Sequence, residues 1–193
     1  LYRGELLWGK RLGLIGAGRI GSAYAEMMVM GHAMSCTYLS PSAKPEFEER
    51  LNGFYAYRNM SDRVSRASTL DALLSQSDVI ALLPTLNPST HHLINSANLP
   101  KCKTNAILLN MSRGPCVHEA ALVAHLKKHP RFYAALDVFE REPALEEGLK
   151  ALPNVVMTPH TGSASYEARN HMATLCSLNI LGVHQGFLPW VYD

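Results

Sequence analysis

The sequence predicts an α/β fold wound on both faces of a parallel sheet, and three observations carry that expectation. Short apolar runs alternate with stretches of helical character along the whole chain. No hairpin turn chemistry separates consecutive runs, so the strands must be joined by crossovers. One run, 78–83, is continuously apolar after its first residue and ends at Pro84, as expected of a strand buried on both faces.

The elements follow in order. Residues 12–15 form the first strand, and a helix runs from Ile20 to Met30. Ala33 to Leu39 reads as the second strand, closed by the turn Ser40-Pro41-Ser42. Lys44 to Arg66 reads as irregular and polar, with at most a short helix near Glu46 to Leu51. Ser68 or Thr69 caps a helix running through Leu74, with Asp71 favourably placed in its first turn. After the strand at 78–83, Thr104 to Asn110 is a strand and Glu119 to Lys128 a helix with apolar residues at 122, 123 and 126. Tyr133 to Val138 and Asn154 to Thr158 are the last strands. A long helix, expected to be amphipathic, runs from about Ser165 to Val183 and ends near Gly186 and Pro189.

Gly16-Ala17-Gly18-Arg19-Ile20-Gly21 lies between the first strand and the first helix. This is the arrangement that cradles a dinucleotide pyrophosphate. The first glycine allows the tight turn, the second lets backbone approach the phosphate, and the third lets helix and strand pack closely. A ligand-free tight turn is the bland alternative. Position after a strand and before a helix favours dinucleotide binding and a Rossmann-type doubly wound sheet.

Composition narrows the class. The 193 residues are 47% hydrophobic and 18% charged, with a net charge of +2. Those are ordinary values for a globular protein, and they argue against nucleic acid as a partner. Four cysteines (Cys36, Cys102, Cys116, Cys176) have neither metal nor framework spacing and read as free thiols of a reducing compartment. No apolar run reaches the ~18 residues that span a bilayer, so no membrane partner is expected. Leu1-Tyr2-Arg3-Gly4-Glu5 does not resemble a natural start, and the chain reads as a piece of a longer protein.

Ligands of open α/β sheets lie beyond the carboxyl ends of the strands. The polar residues found there are Ser40-Pro41-Ser42, Pro84-Thr85, Asn110 to Gly114, Asp137 to Pro143, and Pro159 to Ser163. They include two arginines, Arg113 and Arg141, several carboxylates and one histidine.

Several of these segments, in this order, resemble the nicotinamide-dependent D-2-hydroxyacid dehydrogenases over essentially the whole chain, and most of all the plant-type hydroxypyruvate reductases. They are Gly18 to Ala25, Ser112-Arg113-Gly114-Pro115, Glu119 to Val123, Leu136 to Glu140, Pro159-His160 and Met172 to Leu175. The resemblance implies that residues 1–193 are a dinucleotide-binding domain, with 1–10 leading into it and 165–187 forming its C-terminal helix. The family's substrate domain would be largely absent.

It also implies roles. Arg113 would hold the substrate's carboxylate and carbonyl oxygen, a task suited to a guanidinium fork. His160 would give a proton to the carbonyl oxygen as hydride arrives. Glu142 would hydrogen-bond His160 and favour its protonated form. Asp137 would meet the nicotinamide region. The cofactor contacts implied are Gly16, Gly18, Arg19, Ile20, Gly21, Ser40, Pro41, Leu83, Pro84, Met111, Ser112, Arg113, Asp137, His160, Gly162 and Ser163. Glu140 reads as a solvated carboxylate. The remaining histidines, with the His91-His92 pair, read as surface or packing residues, and no metal site is expected.

One departure concerns cofactor choice. The acid that binds the ribose 2′-hydroxyl of NAD about 20 residues past the glycines is replaced by Ser40, and no acid occurs between Met27 and Pro45. NADPH is therefore tolerated beside NADH, although an arginine immediately after the strand is also missing. The activity implied is reduction of a small 2-oxo acid, hydroxypyruvate and also glyoxylate, by a homodimer. Other readings are a phosphoglycerate or formate dehydrogenase and a dinucleotide-sensing corepressor. Compartment is open; plant relatives are peroxisomal, and Val191-Tyr192-Asp193 carries no such signal.

Overall fold

Seven strands form one parallel sheet in the order β3-β2-β1-β4-β5-β6-β7, in a computed structural model that describes residues 5–56 and 63–189. The strands are β1 (Arg11–Ile15), β2 (Ser35–Leu39), β3 (Val64–Arg66), β4 (Val79–Leu82), β5 (Ile107–Asn110), β6 (Tyr133–Leu136) and β7 (Val155–Met157). The helices are α1 (Arg19–Glu26), α2 (Pro45–Ala56), α3 (Leu70–Gln76), α4 (Glu119–Lys128) and α5 (Tyr166–His184). The sheet order reverses between β1 and β4, which sit side by side and lead outward in opposite directions. Such a switch point is where open α/β sheets bind ligands.

Two compact units are formed, one up to Thr158 and one from Pro159 on. The first holds the sheet and α1 to α4; the second holds the turn after Pro159 and α5.

Alternation along the strands feeds two core layers. Leu12, Leu14, Tyr38, Val79 and Ala81 pack with Ala25 of α1 and with Phe47, Leu51 and Tyr55 of α2. Ile15, Ile80, Leu82, Leu108 and Leu136 pack with Leu73 and Leu74 of α3 and with Leu122, Val123 and Leu126 of α4. Every strand residue of β4 is buried, as its unbroken apolar run requires. Thr69 accepts from the Ala72 amide and so caps α3, the role its position suggested.

The stretch read as irregular is ordered in part. It contains the twelve residues of α2 and the short edge strand β3, while residues 57–62 lie outside the described residues. Phe47, Leu51 and Tyr55 recur every four residues and are all buried, so this helix forms by packing one narrow stripe despite its charged flanks. Its start is tied to the end of β2: buried Tyr38 donates its hydroxyl proton to Glu48 Oε1 and accepts from the Lys44 amide.

The expectation of an amphipathic C-terminal helix is also corrected. Ser165 caps α5 at Ala168 N, but no residue of α5 is buried. Met172, Leu178, Ile180, Leu181 and Val183 are all more than half exposed and fall around the helix rather than along one stripe. Among the described residues no helix is long and apolar enough to cross a membrane. The four cysteines are free thiols, as expected.

Candidate active site

The strands of the sheet end in one row. In register, Ile15 lies beside Leu39 and Leu82, Leu82 beside Asn110, Asn110 beside Leu136, and Leu136 beside Met157. The next residue of each strand is the first beyond the sheet, and five of these six were singled out from the sequence: Gly16, Ser40, Leu83, Met111 and Asp137, with Thr158 as the sixth. Backbone hydrogen bonds knit the row together. Gly16 N donates to Leu39 O (2.9 Å), Leu83 N to Ile15 O (2.8 Å), Asp137 N to Asn110 O (3.1 Å) and Thr158 N to Leu136 O (3.0 Å). Adjacent strands being about 4.8 Å apart, the row presents its loops as a continuous crevice edge.

The three glycines are needed for different reasons. Gly16 has φ +96°, and a Cβ there would stand 2.6 Å from the Leu83 backbone, so the β1 and β4 loops are in close contact. A Cβ on Gly21 would lie 1.9 Å from Gly16 O; α1 crosses the turn with nothing to spare. Gly18 is the opposite case, because a Cβ on it would meet nothing within 4 Å. Open space above a glycine at a helix start, with no acid in the first turn of α1, fits a phosphate group. Ile20, beside it, is left 72% exposed.

Beyond β5 the chain is held by Asn110, which the sequence placed among the strand-end polar residues without giving it a role. Asn110 is buried; its Oδ1 accepts from Ser112 N and Ser112 Oγ, and its Nδ2 donates to Arg113 O. One amide thus fixes the turn that carries Met111, Ser112 and Arg113. Arg113 is exposed, with Nη1 donating to Ser112 O at 2.7 Å. A Cβ on Gly114 would lie 1.9 Å from the Phe139 carbonyl, so the loops after β5 and β6 touch backbone to backbone. The polar ending of the apolar run Ile107-Leu108-Leu109-Asn110 was the available signal for Asn110.

In the loop after β6, Asp137 Oδ1 accepts from Thr158 Oγ1 (2.6 Å) and Glu142 Oε1 accepts from Phe139 N (2.9 Å). Glu140 is not the solvated residue expected. Its Oε2 accepts from Glu119 N (3.0 Å), its amide donates to Glu119 Oε1 (2.9 Å), and His92 Nε2 donates to its Oε1 (2.7 Å). His92 is therefore a partner in this corner, in ring contact with His91 and with His118. His118 caps α4 by accepting from Ala121 N through Nδ1. The loop bearing Asp137 and Glu142 is anchored from behind.

The corner mixes stabilising and costly contacts. For Glu140, burial pushes the carboxyl up, but the Glu119 backbone and His92 outweigh it, and its pKa is lowered. For Glu119, burial dominates and raises the pKa; its Oε2 is buried without a hydrogen-bond partner among the described residues. A carboxyl whose folded pKa is raised contributes stability at low pH that is lost as pH rises through that pKa. Glu119→Gln should therefore gain on the wild type as pH increases from 4 to 7, by on the order of 1 kcal/mol, the scale of a relieved buried polar group. Urea unfolding at several pH values measures this; a difference independent of pH would refute it.

The remaining sequence-predicted residues belong to the second unit. His160 is exposed and has φ +52°, a left-handed conformation unusual for histidine. Gly162 and Ser163 follow it in a turn closed by Ala164 N donating to Thr161 O (2.9 Å), and Ser163 O accepts from Arg169 Nε.

Comparison with known proteins agrees with this layout. Residues 1–162 match the family model for the D-isomer specific 2-hydroxyacid dehydrogenase, NAD binding domain. The chain is 44% identical to the peroxisomal glycerate dehydrogenase HPR of Arabidopsis thaliana, across 98% of this chain and 50% of that protein. It is 43% identical to the glycerate dehydrogenase of Cucumis sativus, across 98% of this chain and 51% of that one. A solved structure from Polaromonas, described as a D-isomer specific 2-hydroxyacid dehydrogenase, superposes with a TM-score of 0.84 at 30% identity, covering 97% of this chain and 55% of that one. The chain spans about half the length of the curated relatives it matches. With its glycine turn, its row of strand ends and this match over most of its length, the chain belongs to the D-isomer specific 2-hydroxyacid dehydrogenase family and corresponds to its NAD binding domain.

Proposed function

We propose that the complete protein reduces a small 2-oxo acid, hydroxypyruvate to D-glycerate and also glyoxylate to glycolate, with NADH or NADPH bound along the row of strand ends. The single observation that carries this reading is that row, with Gly16, Ser40, Leu83, Met111 and Asp137 in one register line and open space above Gly18. Likeness to two glycerate dehydrogenases supports the choice of substrate.

The dinucleotide, when bound, supplies a hydride for the substrate's carbonyl carbon. The chain's own residues do the rest. Gly18 and the first turn of α1 receive the pyrophosphate, with Arg19, Ile20 and Gly21 around it. Ser40 and Pro41 meet the adenosine ribose, and Leu83 and Pro84 line the crevice wall. Met111, Ser112, Asp137, Gly162 and Ser163 border the nicotinamide end. Arg113 holds the substrate's carboxylate and carbonyl oxygen in a planar fork. His160 gives its proton to that oxygen, and Glu142 orients the ring. The active form is taken as a homodimer and the compartment as peroxisomal, the latter after the Arabidopsis relative's name.

Steady-state kinetics of the complete protein with hydroxypyruvate, glyoxylate and pyruvate, each with NADH and NADPH, tests the assignment. Absence of turnover with all three would overturn it. A substitution tests the cofactor contact: Ser40→Asp should repel a 2′-phosphate and offer the 2′-hydroxyl an acceptor. The ratio of kcat/KM values should move toward NADH by about 1–3 kcal/mol. An unmoved ratio would place Ser40 away from the 2′ position.

A further inference from the structure

Arg66 supplies the charge that sequence inspection found missing after β2. It stands at the carboxyl end of the edge strand, paired with Tyr38 in the parallel register of β2 and β3. Its Nη2 donates to Ser40 O and to Pro41 O, both at 2.9 Å. These are the first two residues beyond β2, the place where an acid would otherwise bind the ribose 2′-hydroxyl.

We infer that Arg66 is a specificity-determining residue: a guanidinium brought from the neighbouring strand to the turn after β2, where it receives the 2′-phosphate of NADPH. The inference rests on the dinucleotide reading given above.

The geometry suits the task. Two backbone carbonyls orient the guanidinium without neutralising it, so the full positive charge stays on an exposed side chain. With both Nη2 protons so used, the Nη1 and Nε protons remain, on opposite sides of the guanidinium, and either side can donate a single charge-assisted bond to a phosphate oxygen. The turn beside it has no acid of its own, since none lies between Met27 and Pro45. The nearest carboxylate that the contacts identify, Glu48, accepts from the Tyr38 hydroxyl. A linear search for an arginine directly following β2 could not find this residue, because it lies 25 and 26 positions from the carbonyls it holds.

Direct binding tests the inference without turnover. NADPH and NADH are titrated separately into the complete protein and into Arg66→Gln, at low and at high salt, by calorimetry. Arg66→Gln should weaken NADPH by about tenfold to a hundredfold, the worth of one charge-assisted phosphate contact, and leave NADH within about twofold. Salt should erode the NADPH affinity of the wild type more than that of the variant.

Equal loss for both cofactors, or no loss for NADPH, would overturn the assignment while leaving dinucleotide binding intact. Failure of the wild type to bind either cofactor would overturn the dinucleotide reading itself. Should Arg66→Gln not fold, competition on the wild type decides: 2′,5′-ADP should displace reduced cofactor more strongly than 5′-ADP, and equal displacement by the two counts against Arg66.

Discussion

Replacing His160 by alanine should lower kcat of the complete protein about 10²- to 10⁴-fold while dinucleotide affinity stays nearly unchanged, the usual worth of one positioned proton transfer. The side chain is exposed and its backbone is held at φ +52°, a conformation that costs a non-glycine residue energy and is kept where the surroundings impose it. Its chemistry suits the proposed role, since imidazole both carries and yields a proton near neutral pH. Under the same assignment Glu142→Gln should keep the shape of the site and lower kcat less than His160→Ala does, because it disturbs the orientation of the proton donor and does not remove it. Arg113→Ala should instead raise KM and lower kcat together, because an exposed guanidinium acts on substrate binding and orientation. Pre-steady-state and steady-state rates with hydroxypyruvate separate the three profiles. A His160→Ala protein reducing hydroxypyruvate at near wild-type rate would sink the mechanism.

What could be read from the sequence was what depends on local pattern. The unbroken run Val79-Ile80-Ala81-Leu82 fixed a doubly buried strand, and Thr69 and Ser165 marked helix starts through their own side chains. The strand-end rule picked out the loops after β1, β2, β4, β5 and β6, whose strands do end in one row, because register in a parallel sheet puts all carboxyl ends on one side. What escaped depends on contacts distant in sequence. Glu140 looked like one carboxylate among several in Phe139-Glu140-Arg141-Glu142, yet its partners are Glu119, 21 residues away, and His92, 48 away. α2 was underestimated because Phe47, Leu51 and Tyr55 make a narrow stripe inside a charged, glycine-containing segment. α5 has the length and cap of an amphipathic helix, but its apolar residues are spread around it. Asn110 was noted as a strand-end residue and acts through hydrogen bonds within three residues, yet its role was not legible: an amide ending a strand looks the same whether it organises the next turn or faces solvent.

The glycine turn yields the other large effect. Gly18→Val should abolish measurable binding of NADH and NADPH, a loss on the order of 100-fold or more, while the protein's melting temperature stays within a few degrees. Both halves follow from the space around the residue. A Cβ on Gly18 meets no protein atom within 4 Å, and the residue has ordinary extended backbone (φ −81°, ψ −168°), so a branched side chain is accommodated by the folded domain. Under the proposed assignment the pyrophosphate approaches the backbone through that open space, and a valine side chain fills it. Gly21→Ala provides the contrast. Its Cβ would stand 1.9 Å from Gly16 O, so α1 has to move off the turn, and folding stability should fall by about 1–3 kcal/mol along with cofactor binding. Calorimetric titration with each reduced cofactor, paired with thermal unfolding of both variants, reads the two effects separately. Full cofactor affinity in a folded Gly18→Val protein would show that the pyrophosphate lies elsewhere. Equal destabilisation of the two variants would show that Gly18 is kept for the fold and not for a ligand.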